Sequence, residues 1–194
     1  MKVITLCREY GAGGHTIGKK VAAELGIELY DKDIIAETAK TLGIDPSQLE
    51  KEEEVISRTE SFIRSITPIS YDRKDAIYDI QRSVILEIVK KGPCVILGRC
   101  ADALLEEAGI DSLDVFLYAD EAHRAQRVGE LHNTTHASEI SRIMKKEDHD
   151  RRNYYTHYTG KFWGDRRNFN LMLDVGALGY DTCVKLICEA AKAE

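Results

Sequence analysis

The chain has little of what marks a secreted, fibrous or membrane-embedded protein. Its five cysteines are an odd number and include no C-x-x-C pair, which removes a disulfide framework as the organising device. Cys7, Cys94, Cys100, Cys183 and Cys188 read instead as reduced, mostly buried thiols. Only three prolines occur, and no segment is repeated or of low complexity, so repeat and linker architectures are excluded. No apolar run approaches the ~20 residues that cross a bilayer, and the apolar run after Lys2 is too short for a signal peptide. The expectation is a cytoplasmic protein with no membrane contact. Positive charge is also in deficit. With 27 Lys and Arg against 33 Asp and Glu, the net charge is −6, which argues against sequence-independent nucleic-acid binding but allows a local basic cleft. A helical zinc motif is lacking as well. His132 and His136 are four apart, yet Asn133 follows the first and no third ligand is evident, so both read as surface histidines.

What is present is an ordinary globular composition, 43% hydrophobic and 31% charged, in a chain long enough for one α/β domain. Short apolar runs at about 2–7, 27–30, 95–97, 113–118 and 170–175 predict five strands. Helical patterns fall between them, at about 14–25, 31–42, 50–66, 72–91, 101–108, from Asp120 onward, and 180–191. Gly26 and Gly43 stop two of these helices, and Asp120 caps another. Strands alternating with helices predict a doubly wound parallel sheet with helices on both faces. Ligands in such sheets bind at the carboxyl ends of the strands.

One junction at that edge is the most informative. The text VITLCREYGAGGHTIGKKVAAEL runs from an apolar strand through Gly11-Ala12-Gly13-Gly14 into a helix whose Ile17, Val21 and Leu25 share a face. Such a turn gathers backbone N–H groups into one concavity with the positive helix end behind it, an arrangement that binds phosphate. Gly11, Ala12, Gly13, Gly14, His15 and Thr16 are the candidate nucleotide-binding residues, with the Thr16 hydroxyl placed to hold Mg²⁺. In this register the lysine of a Walker-A loop falls on Gly14, so Arg8, His15 or a distant arginine must supply the missing charge. The rival reading is a dinucleotide turn, Gly11-x-Gly13, with Asp31 twenty residues on as the ribose acid. Its third glycine, however, is Thr16.

Cations are clustered elsewhere along the chain. Arg99 follows the third strand through Gly98, and Arg124 and Arg127 share a helix face. The stretch Lys145 to Tyr155 carries Arg151 and Arg152. Phosphoryl transfer needs such groups, because charge spreads over the oxygens of the transferred group. Tyr154, Tyr155, Tyr158, Phe162 and Trp163 could stack a base, pack a lid or form a subunit contact, so a homodimer is one arrangement to test.

The segments CREYGAGGHTIGKKVAAELGIELYDKDII, VILGRCADALLEE, DEAHRAQRV and DRRNYYTHYTGKFWGDRRNFNLMLD resemble the cytidylate-kinase-like group of P-loop nucleoside monophosphate kinases. The resemblance implies a single kinase-like domain over 1–194, with a helical acceptor-binding insert over 44–76 and a lid over 132–168. It implies ATP and Mg²⁺, and transfer of the γ-phosphoryl group to a monophosphate, CMP or dCMP first. Arg99, Arg127, Arg151 and Arg152 match its catalytic cations, and Asp31 and Arg99 its acceptor contacts. The chain departs from true CMP kinases at Gly14, at Leu97 and Cys100 around the glycine–arginine pair, and at Lys32, Asp33 and Glu37. The alternatives are a nucleotide-binding regulatory module with little kinase activity and, more remotely, a NAD-dependent oxidoreductase.

Overall fold

The computed structural model describes residues 2–31, 40 and 73–193. Five strands, β1 (Val3–Arg8), β2 (Glu28–Tyr30), β3 (Cys94–Leu97), β4 (Ser112–Tyr118) and β5 (Leu171–Asp174), form one sheet in the order β2-β3-β1-β4-β5. The β1–β3, β1–β4 and β4–β5 pairs are parallel. The described helices are α1 (Gly14–Leu25), α2 (Arg73–Val89), α3 (Ala101–Glu107), α4 (Glu121–His132), α5 (Ala137–Thr159), α6 (Val175–Leu178) and α7 (Tyr180–Lys192). The helices expected at 31–42 and 50–66, and nearly all of the 44–76 insert, lie outside the described residues. The chain divides into two compact units, Met1–Leu29 with Gly92–Glu194, and Tyr30–Lys91. In the second unit, α2 buries Ile85, Ile88 and, among its polar residues, Gln81.

In the first unit β1 is central. Leu6 pairs with Leu97 on one side and Val115 on the other. Side chains alternate across a strand, so Ile4, Leu6, Val95, Leu97, Val115 and Leu117 share one face. That face packs against Ile17 and Val21 of α1 and Val184, Ile187 and Ala191 of α7. The opposite face carries Phe116, whose ring meets Trp163 edge-on at 5.3 Å and Phe169 at 5.0 Å. Thr5, buried at mid-strand, donates its hydroxyl to Asp114 Oδ1 at 2.7 Å. The strand order also decides between the two readings of the glycine turn. Here β3 lies beside β1, whereas the dinucleotide fold places its second strand there.

The helix ends follow their local chemistry. Gly26 adopts φ 65° and donates its N–H to Ala22 O, closing α1. Asp120 Oδ1 accepts the His123 N–H at 2.8 Å and caps α4. The polar stretch after Leu131 is mostly one 23-residue helix, α5, which packs against α4. Its buried positions are Ile140, Met144, Asp148 and Tyr155. Asp148 thus occupies a place in the buried stripe that an apolar residue would ordinarily fill.

Asp148 is satisfied there by two partners on other segments. Its Oδ1 accepts the Tyr10 N–H at 2.7 Å, and its Oδ2 accepts from Arg124 Nη1 at 2.5 Å. Arg124 Nη1 also donates to Tyr10 O at 3.2 Å, and Arg124 Nε lies 3.5 Å from Glu9 Oε2. The exit of β1, helix α4 and helix α5 are therefore joined through one largely buried ion pair. Removing one partner of such a pair leaves the other charge desolvated. Asp148→Ala should lower the unfolding free energy by about 3–5 kcal/mol in urea titrations. A loss below about 1 kcal/mol would show that the pair does not fasten these elements.

Candidate functional site

The glycine turn is built for a close backbone approach. Gly11 and Gly13 have φ 84° and 81°, a region that costs other residues roughly 1–2 kcal/mol. The space around them is also filled. A Cβ on Gly11 would lie 2.8 Å from Arg124 O, and one on Gly13 would strike the Tyr180 ring. Gly13 caps α1 with no side-chain hydrogen bond, and the first turn of the helix holds no acidic residue. The first amides of a helix have no intrahelical acceptor, so the positive end of α1 is left for an anion. Ala12 is buried, His15 is exposed, and Thr16 is half-buried beside this end.

The cations divide into those aimed at the turn and those used for support. Arg127 Nη2 donates to Thr16 Oγ1 at 2.8 Å, and its Nη1 donates to Tyr180 Oη at 3.1 Å. Its guanidinium lies 5.5 Å from the centre of the Tyr180 ring. Arg151 Nη1 donates to Arg8 O at 3.1 Å, and its guanidinium stands over the Tyr10 ring at 5.1 Å. Arg152 is exposed and lies over the Trp163 ring at 5.7 Å. Arg124, on the same helix as Arg127, is committed to Asp148 and Glu9 and is a supporting residue. Burial raises the Glu9 carboxyl above the ordinary value, against the opposing pull of Arg124.

Arg99 sits at the carboxyl end of β3 in an unusual turn. Gly98, Arg99 and Cys100 have φ 76°, 63° and 54° in succession. Arg99 and Cys100 are, with Asn133, the non-glycine residues of positive φ among the described residues. Such strain persists only where its surroundings hold it, and it gathers at functional sites. Asp102, a neighbour that could have held Arg99 by a salt bridge, is itself buried and accepts the Tyr155 hydroxyl at 2.6 Å. Asp31 is half-buried and belongs to the second compact unit.

Several of these residues were not visible from spacing. Tyr180 reads as an inward residue of the last helix and does pack against the core, but its ring also closes over Gly13 and its hydroxyl accepts from Arg127. The aromatic group after Tyr154 is dispersed. Tyr155 is buried against Asp102, Trp163 Nε1 donates to Cys7 Sγ at 3.1 Å, and Phe162 is 74% exposed. Burial, with Asp102 nearby, pushes the Cys7 thiol up to about 12, and Cys100 is raised as well. A thiol raised in this way is a poor nucleophile at neutral pH. His132 and His136 are exposed on separate elements, with His132 Nε2 2.9 Å from Tyr10 Oη. No cluster of three His, Cys, Asp or Glu suited to a metal occurs among the described residues.

A nucleotide-bound magnesium ion needs no such cluster, since phosphate and water supply most of its ligands. A threonine hydroxyl has two acceptor lone pairs. Arg127 uses one, and the other is available to the metal once a phosphate chain balances the two cations. The Thr16 hydroxyl would therefore suit a Mg²⁺ ion carried by a nucleotide phosphate.

The parallel five-stranded order, the glycine turn ahead of α1 and the arginines over it define a P-loop kinase fold. Solved structures agree. The shikimate kinase of Bacteroides thetaiotaomicron matches with a TM-score of 0.56 at 14% identity over 99% of both chains. The APS kinase of Mycobacterium tuberculosis, in complex with AMPPNP and APS, matches at 0.52 and 16% identity, again over 99% of both. An uncharacterized protein from Eubacterium ventriosum ATCC 27560 reaches 0.76 at 24% identity over the whole of both chains. Among curated proteins, none matches. The sequence pattern of the cytidylate kinase-like family matches residues 3–177, and the chain belongs to that family.

The buried Asp102 makes a separate prediction. Desolvation raises its carboxyl from 3.8 to about 6, against the lowering effect of the Tyr155 hydrogen bond. A raised folded-state pKa favours folding at low pH, and that contribution is lost as pH climbs from about 4 through about 6. Asp102→Asn keeps an acceptor for Tyr155 without the charge. It should therefore be more stable than wild type above pH 6, by up to about 3 kcal/mol, with the gap closing toward pH 4. Equal differences in melting temperature at pH 4.5 and pH 8 would contradict this.

Proposed function

We propose that the chain is an ATP-dependent phosphotransferase of the nucleoside monophosphate kinase type, moving the γ-phosphoryl group to a monophosphate, with CMP and dCMP as first-choice acceptors. The observation that carries this reading is the uncapped α1 N-terminus with Arg127 held at the Thr16 hydroxyl. The donor phosphates lie along the amides of residues 13–16, and Thr16 holds Mg²⁺. Bound magnesium would offset charge on the β- and γ-phosphate oxygens. Arg127 neutralises charge as the phosphoryl group moves, and Arg99, fixed by its left-handed turn, orients the acceptor phosphate. Arg151 and Arg152 lie on α5 within the proposed lid, 132–168, and add positive potential over the strand exits. Asp31 is the other proposed acceptor contact. No strong base is required, because positioning and electrostatics dominate this chemistry.

One observation favours a second reading. Position 14 is glycine, so the loop has no Walker-A lysine, which suits a nucleotide-binding regulatory module. A coupled ADP-release screen with Mg-ATP and CMP, dCMP, UMP, AMP and GMP separates the two. The kinase reading expects acceptor-dependent ADP release, reduced at least about tenfold in Arg127→Ala and Arg99→Ala proteins that melt like wild type. ATP binding with no acceptor-dependent release across the panel would favour the regulatory module.

A further inference from the structure

The last residue of β1 runs its side chain back across the turn. A Cβ built on Gly14 would lie 2.9 Å from Arg8 Cγ, 3.3 Å from its Cβ and 3.4 Å from its Cδ. A Cβ on Gly98 would collide with Arg8 Nη1. The aliphatic stem of Arg8 therefore fills the volume into which a side chain at position 14 would project. Its guanidinium ends at the Gly98-Arg99 turn. Gly98 has a backbone reason to be glycine, its φ of 76°. Gly14 has none: it lies at the start of α1 outside the left-handed region, where glycine is a poor helix former. What requires glycine at position 14 is the passage of Arg8.

We propose that Arg8 is the phosphate-binding cation of the donor site, reaching the turn from the strand side in place of the lysine absent from the helix side. The inference rests on the nucleotide-site reading given above and assigns the charge that reading leaves open. An arginine in this path differs from a lysine in two respects. It keeps its charge at any pH the protein meets, and its planar fork can bridge two phosphate oxygens. Its end also lies beside the Gly98-Arg99 turn, so one guanidinium spans the space between the proposed donor and acceptor phosphates. Arg151 holds the Arg8 carbonyl, which fixes the main chain from which the side chain departs. A lysine at position 14 and an arginine at position 8 compete for one volume, so the two solutions exclude each other.

That exclusion supplies the test. Binding of Mg-ATP, inorganic tripolyphosphate and adenosine is measured by calorimetry for wild type, Arg8→Ala, Gly14→Lys and the double variant, with melting curves taken without ligand. Arg8→Ala should weaken Mg-ATP and tripolyphosphate at least tenfold and leave adenosine unchanged. Gly14→Lys alone should also bind poorly, because its lysine meets Arg8. In the double variant the lysine enters the vacated space, so phosphate affinity should recover at least threefold over Arg8→Ala. Should Arg8→Ala alone fail to fold, Arg8→Gln, which keeps the stem and loses the charge, replaces it as the single variant, while the double variant keeps alanine at position 8, where the lysine stem fills the space. Wild-type binding of Mg-ATP with equal affinity in the uncharged variant would overturn the proposal and leave the nucleotide site standing. Wild type that binds neither Mg-ATP nor tripolyphosphate would overturn the nucleotide site and the proposal together.

Discussion

The site depends on one constraint: the chain must leave β1 and begin α1 with no side chains in the way. Gly11 and Gly13 take left-handed conformations, and the room a Cβ would need at each is filled from a different direction. The backbone of α4 closes on Gly11, and the Tyr180 ring closes on Gly13. The turn is thus held tight from outside, and the N-cap position of α1, a glycine, offers no side-chain cap. A helix N-terminus favours an anion both by its dipole and by first-turn donors that have no intrahelical acceptor.

Around that turn, charge is sorted by its partners. Arg124 is half-buried against Asp148 and Glu9 and joins β1, α4 and α5. Arg127, three residues further along the same helix, reaches Thr16 and Tyr180 instead. Two arginines on one helix face therefore do different things, because only one of them has carboxylates waiting. Asp102 is buried with partners of its own. The Tyr155 hydroxyl and backbone N–H groups bond it, and the price of burying it is a carboxyl raised to about 6.

Much of the fold was legible in the chain, because local chemistry and tertiary role agree there. The apolar runs become the five strands, Gly26 and Asp120 end and begin helices as their types demand, and Gly11-Ala12-Gly13-Gly14 forms the turn. The long helix α5 was hidden because a carboxylate, Asp148, stands in its buried stripe, and no periodicity rule supplies the arginine that makes this tolerable. Arg124 and Arg127 were indistinguishable by spacing, since their difference lies in partners 24 and 111 residues away. The approach of Tyr180 to Gly13 was hidden for the same reason: the glycine it covers lies far away in sequence. The left-handed run through Arg99 and Cys100 has no signal in residue type, since neither residue favours it.

The central claim is that the amides opening α1 receive the oxyanions of a nucleotide. The most direct measurement is an amide-resolved NMR titration of the folded protein with magnesium and a non-hydrolysable ATP analogue. The account predicts that the largest and earliest shifts fall on the N–H groups of Gly13, Gly14, His15 and Thr16. Saturable binding whose shifts spare those four amides would contradict it.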